Sequence, residues 1–331
     1  HIQSCLKSMP QEKREVVKMV KISGFYDEVS SDLETQCKLV KELGETYMCP
    51  RKVNGRNIAS YTAEEFQREV KPTLDKYGVK FSSIGSPIGK IRWDDDDAYE
   101  SQLRQLEELV KICKIMDCKY IRIFSFRLKK DEYEKAYPTV LKKLKGFVEK
   151  VKGSDVILIH ENEKRIYGDE PNRCVKLYKE ISDPQFKLCY DASNYIQCGY
   201  DAWEAYNIVK EYCVYYHVKD CSKYRVEVPV GMGEGNYPKL LKDLVADRGY
   251  DGFMTLEPHT GKYADHKVLV QCLCWITWAI PYISKWHRVF RMIDKNKGMK
   301  RFQTVDRKTM FLWQYNGLKK LLGQAGVDIN G

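Results

Sequence analysis

Short apolar runs alternate with amphipathic stretches along most of the chain. Eight runs read as strands, at 20–25, 46–49, 79–84, 120–124, 156–160, 187–190, 213–217 and 252–256. Each is short, mostly apolar and rich in Val, Ile, Tyr or Phe, as strands covered on both faces should be. Between them, apolar residues recur at helical spacing over 32–43, 63–77, 96–116, 131–150, 172–181, 201–212 and 237–248, with a last helix at 308–322. Asp32, Thr62 and Asp201 stand where N-caps are wanted. Gly44, Gly78 and Gly249 follow helix ends, where a left-handed residue is needed. Eight strands alternating with eight helices predict a single α/β domain, a (β/α)8 TIM barrel over 19–331. A doubly wound open sheet fits less well, because no GxGxxG follows the first strand. The segment Gly231-x-Gly233-x-Gly235 comes after the seventh strand and lacks that spacing.

Two stretches fall outside the repeat. Residues 1–18 are polar and unpatterned, the signature of a disordered leader or cloning remnant. Between Glu257 and the last helix lie 50 residues, 258–307, where a loop of a few would do. The centre of this insertion, 268–284, is apolar and contains Trp275 and Trp278, with Trp286 close behind. It is short and interrupted for a membrane span, so no membrane is expected. It reads as an apolar helical insertion packed on the barrel. So much Trp and Ile also suits docking of a second copy or a small partner subunit on 258–307.

Composition adds little to this picture. The 331 residues are 43% hydrophobic and 31% charged, an ordinary globular balance. The formal charge of +10 invites a nucleic-acid reading, yet the lysines are spread at helical spacing, as in Lys142-Lys143-x-Lys145. Solvated helix faces look like this, and no nucleic-acid partner is expected. Twelve cysteines form no CxxC pair and no zinc spacing, and no signal peptide is evident, which suggests a reducing, cytoplasmic location.

In such barrels chemistry sits at the carboxyl ends of the strands. The fifth strand ends in His160-Glu161, the sixth in Asp191, the seventh in His217-Val218-Lys219-Asp220 and the eighth in Glu257-Pro258-His259. Glu161, Asp191, His217 and Glu257 are 30, 26 and 40 residues apart, about one strand–helix unit each. Three carboxylates and an imidazole make an oxygen-rich site that suits Mn²⁺, with Co²⁺, Mg²⁺, Fe²⁺ or Zn²⁺ as other candidates. On a regular strand His160 alternates with Glu161 and faces the helices; if the strand ends or bulges there, it reaches the site as a base. Lys219 shares the inward face of His217, and His259 is placed to line the mouth. The first three strands add the polar rim positions Asp27, Glu28, Arg51, Ser83 and Ser86, and the loop 54–57. Trp93 is a candidate for stacking on a sugar ring, although the acidic run after it reads better as the start of a helix.

The segments Ile159-His160-Glu161, Cys189-Tyr190-Asp191, 216–220 and 255–259 resemble the sugar isomerase/epimerase superfamily of xylose-isomerase-like barrels. That resemblance implies a metal-dependent carbohydrate enzyme in which Glu161 and Glu257 are both metal ligands and acid/base partners. The same residues support this directly, since a carboxylate on each side of a carbon can take a proton from one face and return it to the other. The ketose 3-epimerases of this group have a histidine where this chain has Asn194. They have a substrate-binding arginine at the position of Lys223, with Arg225 a nearby substitute. These departures, the insertion and a base at His160 lean towards a second reading: the chain is also similar to the catalytic subunit of C-glycoside deglycosidases. That subunit is a lyase that acts on 3-oxo-glycosides by proton abstraction and loss of the aglycone. Substrate contacts are expected at Lys219, Arg225, Asn194 and His259.

Overall fold

The computed structural model describes residues 20–273 and 281–327. The leader 1–18, and Trp275 and Trp278 of the insertion, lie outside the described residues. Eight parallel strands form the barrel: β1 (Lys21–Gly24), β2 (Tyr47–Met48), β3 (Lys80–Phe81), β4 (Tyr120–Ile123), β5 (Ile157–Glu161), β6 (Phe186–Asp191), β7 (Cys213–Val218) and β8 (Phe253–Leu256). Strands β4 to β8 and β1 make one six-stranded sheet in ring order, and β2 pairs with β3. Two junctions complete the ring. The amide of Cys49 donates to Gly24 O at 3.0 Å, and Ile84 exchanges backbone bonds of 2.9 Å with Tyr120 and Arg122. The expected TIM barrel is therefore the observed fold.

The helices are α1 (Leu33–Glu42), α2 (Ala63–Glu69), α3 (Lys71–Tyr77), α4 (Asp96–Met116), α5 (Tyr133–Val151), α6 (Pro171–Ile181), α7 (Ala192–Cys198), α8 (Ala202–Val209), α9 (Tyr237–Leu241), α10 (Gly261–Cys272), α11 (Pro281–Lys297) and α12 (Arg307–Gln324). Local chemistry sets their ends. Thr62 and Glu65 form a reciprocal capping box on α2, and Asp95 caps α4 through Ala98 N. The acidic run after Trp93 thus starts a helix, and Trp93 itself is buried in the main core. The helix expected over 63–77 divides at Val70, because Pro72, at the start of α3, has no amide to continue the ladder. One expected surface lysine is also buried: Lys143 on α5 donates to Trp93 O at 2.9 Å and pairs with Asp96 at 2.7 Å.

Two apolar layers follow from strand alternation. Leu158, Leu188, Tyr190, Tyr216, Met254 and Leu256 face outwards into the large core beneath the helices. Ile159, Cys189 and Tyr215 face inwards and fill the barrel. Below the site this interior becomes polar, with Ser23, Ser82, Tyr215 and Thr255 joined by hydrogen bonds. The described residues of the insertion include α10 and α11. They make a separate core, including Tyr263, Trp286, Val289, Phe290 and Ile293, against Val226 and Val228 of the loop after β7 and Met310 of α12. No helix among the described residues is long and apolar enough to cross a membrane. The cysteines among these residues are free thiols, most of them buried.

Candidate metal centre

Following the inward positions along adjacent strands leads to one point. Ile157, Ile159 and Glu161 alternate inwards on β5, Cys189 and Asp191 on β6, and Tyr215 and His217 on β7. On β8 Thr255 sits opposite His217, and Glu257 follows two residues later. Glu161, Asp191 and His217 are the last inward residues of their strands, and Glu257 directly follows β8. One ligand atom from each of Glu161, Asp191, His217 and Glu257 lies within 4.8 Å of all the others, and all four residues are buried.

Each of these side chains has a local support. Asp191 spends Oδ1 on the N-cap of α7, accepting from Asn194 N at 2.9 Å, and its backbone is clamped by the amide of Asn162. Asn194 donates to Glu161 Oε1 at 3.2 Å and to Asn162 O at 2.8 Å, so this expected substrate contact is engaged in holding a ligand. The His217 ring meets the edge of Phe25 and that of Tyr215, and its Nδ1 lies 3.1 Å from Glu161 Oε1 and 3.4 Å from Glu257 Oε2. Lys219 Nζ bridges Asp191 Oδ2 at 2.9 Å and Glu257 Oε2 at 3.1 Å. His259 stands at the rim with a φ of 50°; its Nε2 is 3.2 Å from Arg51 Nη1 and 3.3 Å from Glu257 Oε1.

The structure adds a residue that strand reading passed over. Arg122 lies in the middle of β4 and is almost wholly buried. Its Nη1 reaches Glu161 Oε2 at 3.1 Å and Glu257 Oε1 at 3.6 Å. Its other nitrogens donate to Gly85 O and Ser86 O, and the guanidinium lies between the Phe25 and Phe124 rings. A lone arginine in an otherwise apolar strand was the available signal, because such a charge is buried only with partners. Arg51, a rim candidate, ties Asp27 at 2.9 Å and Glu28 at 3.6 Å to Glu257 at 3.4 Å.

Two candidates are not brought to the centre. His160 lies on the outer face of β5, stacked on Phe186 and packed against Gly168, with no hydrogen bond to either ring nitrogen. The strand continues regularly through Glu161, so no bulge turns the imidazole inwards. Burial pushes its pKa down to about 4, which keeps it neutral. Arg225 is exposed at the turn of the loop after β7, with a φ of 59°, and its guanidinium lies beside Gly199 at the end of α7. Lys223 is exposed as well. The glycine-rich segment also finds its reason here. Asp220 accepts four backbone amides, from Cys221, Gly231, Gly233 and Gly235, and a Cβ on Gly233 would come within 2.4 Å of that carboxylate.

The electrostatics are those of a cation site. Burial opposes ionisation of Glu161, yet His217 and Arg122 overcome it and hold its pKa at about 2. Burial raises Asp191 to about 6, against the pull of Lys219. Burial likewise works against a charged His217, but Cys189 and Glu161 hold it well above the ordinary imidazole value. The linked network of Asp27, Glu28, Glu161, Asp191 and Glu257 has five carboxylates against the three cations Arg51, Arg122 and Lys219. The protonated His217 offsets one of the two remaining negative charges, and when it gives up that proton to act as a ligand, both are left for a divalent ion. Glu161 Oε2, Asp191 Oδ2 and His217 Nδ1 meet only charged neighbours at the centre and make no well-aligned hydrogen bond, and His217 Nε2 is buried without a partner. This donor set fits a divalent ion.

An eight-stranded parallel barrel with a carboxylate–imidazole centre at the carboxyl ends of its strands is a TIM barrel whose centre fits a divalent metal. A family model described as xylose isomerase-like TIM barrel matches residues 37–276, and the chain belongs to that family. Among curated proteins, none matches the sequence. Solved structures share the fold at low identity. A xylose isomerase-like TIM barrel protein from Mycobacterium smegmatis in complex with magnesium is 14% identical at a TM-score of 0.62, covering 93% of this chain and 97% of that one. L-ribulose 3-epimerase is 13% identical at 0.61, covering 93% and 95%. The IOLI protein with a bound zinc atom is 10% identical at 0.65, covering 92% and 99%.

Proposed function

We propose that the protein is a divalent-metal-dependent sugar isomerase or epimerase, with Mn²⁺ as its metal, that removes a proton next to the carbonyl of a carbohydrate. The observation that carries this reading is the convergence of Glu161 and Glu257, from different strands, on His217 Nδ1 at 3.1 and 3.4 Å. One of the two glutamates takes the proton from the substrate carbon and the other returns it, each worth ~10²–10⁴-fold as a general acid or base. Arg122 lies against both and keeps them charged. Lys219 and His259 bind substrate oxygens, since both present N–H groups at the centre. A bound divalent ion supplies Lewis-acid stabilisation of the negative charge that develops on the carbonyl oxygen, worth several kcal/mol. The free thiols favour a cytoplasmic location.

A second reading is the lyase of a C-glycoside deglycosidase, in which the same proton abstraction expels an aglycone. It is favoured by Asn194, committed to Glu161, and by the exposed Lys223, which leave two ketose-binding positions of the 3-epimerases without their usual chemistry. It would place a small partner subunit on the insertion; under the first reading a second copy could occupy that surface.

Incubation with Mn²⁺ in D₂O and a panel of ketoses, followed by NMR, tests the proposal. The expected result is exchange of the α-proton, reduced at least a hundredfold in Glu161→Gln and in Glu257→Gln. Full activity in both variants would refute the acid/base assignment. Activity confined to 3-oxo-glycosides would transfer the site to the lyase.

A further inference from the structure

Of the net charge of +10, the insertion 258–307 holds +7, as ten Lys and Arg against three Asp. Its acidic residues are already committed. Asp265 pairs with Arg307 at 2.5 Å, Asp306 caps α12, and Asp294 is buried against Lys267 Nζ at 2.7 Å and Gln271 Nε2 at 2.6 Å. The remaining cations are not spread evenly. Arg288, Arg291 and Lys295 recur at i, i+3 and i+7 on α11, and with Arg301, Met292 and Met299 they line a cavity of about 550 Å³. Asp294, already neutralised, is the only acid among the lining residues.

We infer that this cavity is a binding site for a small multivalent anion of the oligophosphate class. Three observations carry the inference. The volume falls within the roughly 300–1,000 Å³ of ligand sites. Arg288, Arg291 and Lys295 form no ion pair among the described residues, whereas surface cations nearby do, Arg307 with Asp265 and Lys308 with Glu42. The wall opposite α11 is fixed in advance. Lys267 donates to Lys300 O, Phe302 N donates to Gln271 Oε1 at 2.8 Å, and Arg301 reaches Gln271 O. Lys267 and Gln271 are themselves fully buried.

Multivalency follows from the spacing. Positions i and i+7 of a helix are about 10 Å apart along its axis, so one phosphate cannot serve both ends. Arginine suits the task because its planar fork binds phosphate oxygens in pairs. A monovalent anion would leave like charges facing each other across the cavity, and that repulsion is what a chain of phosphates relieves. The site is separate from the metal centre and does not depend on the proposed reaction.

Calorimetric titration of inorganic tripolyphosphate into the full chain, at 0.15 M NaCl without divalent ions, tests the inference. We expect saturable one-to-one binding, weakened at least tenfold in Arg288→Ala/Arg291→Ala and abolished in Arg291→Glu. Both changed side chains, Arg288 and Arg291, are exposed, so the fold tolerates the substitutions. A control pair on the outer face of α5, Lys142→Ala/Lys145→Ala, keeps the wild-type affinity. Equal binding by the α11 variants, or no binding by the wild type, overturns the inference. Binding to anionic vesicles or to duplex DNA, with none to tripolyphosphate, overturns it in favour of a macromolecular surface.

Discussion

Arg122 shows what a single residue contributes to this site. Its guanidinium is buried against two carboxylates of the candidate metal centre, and it supplies part of the compensating charge. Removing one partner of a buried pair leaves uncompensated charge and typically costs ~3–5 kcal/mol. Arg122→Met should therefore destabilise the metal-free chain by about that amount in urea unfolding. The loss should shrink when a divalent ion is added, because the ion takes over the compensation and stabilises whatever binds it. An equal loss with and without the ion would show that Arg122 supports packing alone. Asn194 carries a related lesson. It occupies a position expected to touch substrate, and the chain uses it to orient Glu161.

Strands explain which of the expected residues reach the site. Alternation with a period of two sends Glu161 inwards and His160 outwards, and every candidate ligand was legible because it ends an apolar run. The eight strands and most helices were legible for the same reason. What sequence reading could not supply was side-chain company. The short helix α7 was hidden because its N-cap, Asp191, was already claimed as a ligand. The network of Arg122, Arg51 and Glu28 joins residues more than 200 positions apart, a distance at which periodicity is silent.

The outward placing of His160 has a consequence for acid stability. Its pKa of about 4 when folded lies below the 6.5 of a free imidazole, so the unfolded chain binds the extra proton first. The stabilisation is complete above pH 6.5 and is lost as pH falls towards 4, on the order of 3 kcal/mol in total. His160→Phe keeps an aromatic ring against Phe186 and removes this titration. Its stability should vary less between pH 7 and pH 4.5 than that of the wild type, measured by denaturant unfolding. An unchanged pH dependence would place the titrating group elsewhere.

At the scale of the whole molecule, charge and chemistry are divided between two regions. The barrel gathers carboxylates at the carboxyl ends of β5 to β8, and they outnumber the cations in the network around them. The insertion carries most of the surplus positive charge on α11 and the return to α12. Outside the insertion the chain carries only +3 of the net +10. Lysines on helix faces account for less of the excess than their spacing suggested. The insertion rests on the loop after β7 through Val226 and Val228, so it is built onto the same face of the barrel that holds the candidate metal centre.

The central claim is that Glu161, Asp191, His217 and Glu257 form one divalent metal centre. Equilibrium titration with Mn²⁺ followed by electron paramagnetic resonance measures it directly. The account predicts one tightly bound ion per chain, and a loss of that binding in both His217→Ala and Asp191→Asn while the circular dichroism of the barrel is retained. Undiminished Mn²⁺ binding in both variants, or none in the wild-type chain, would contradict it.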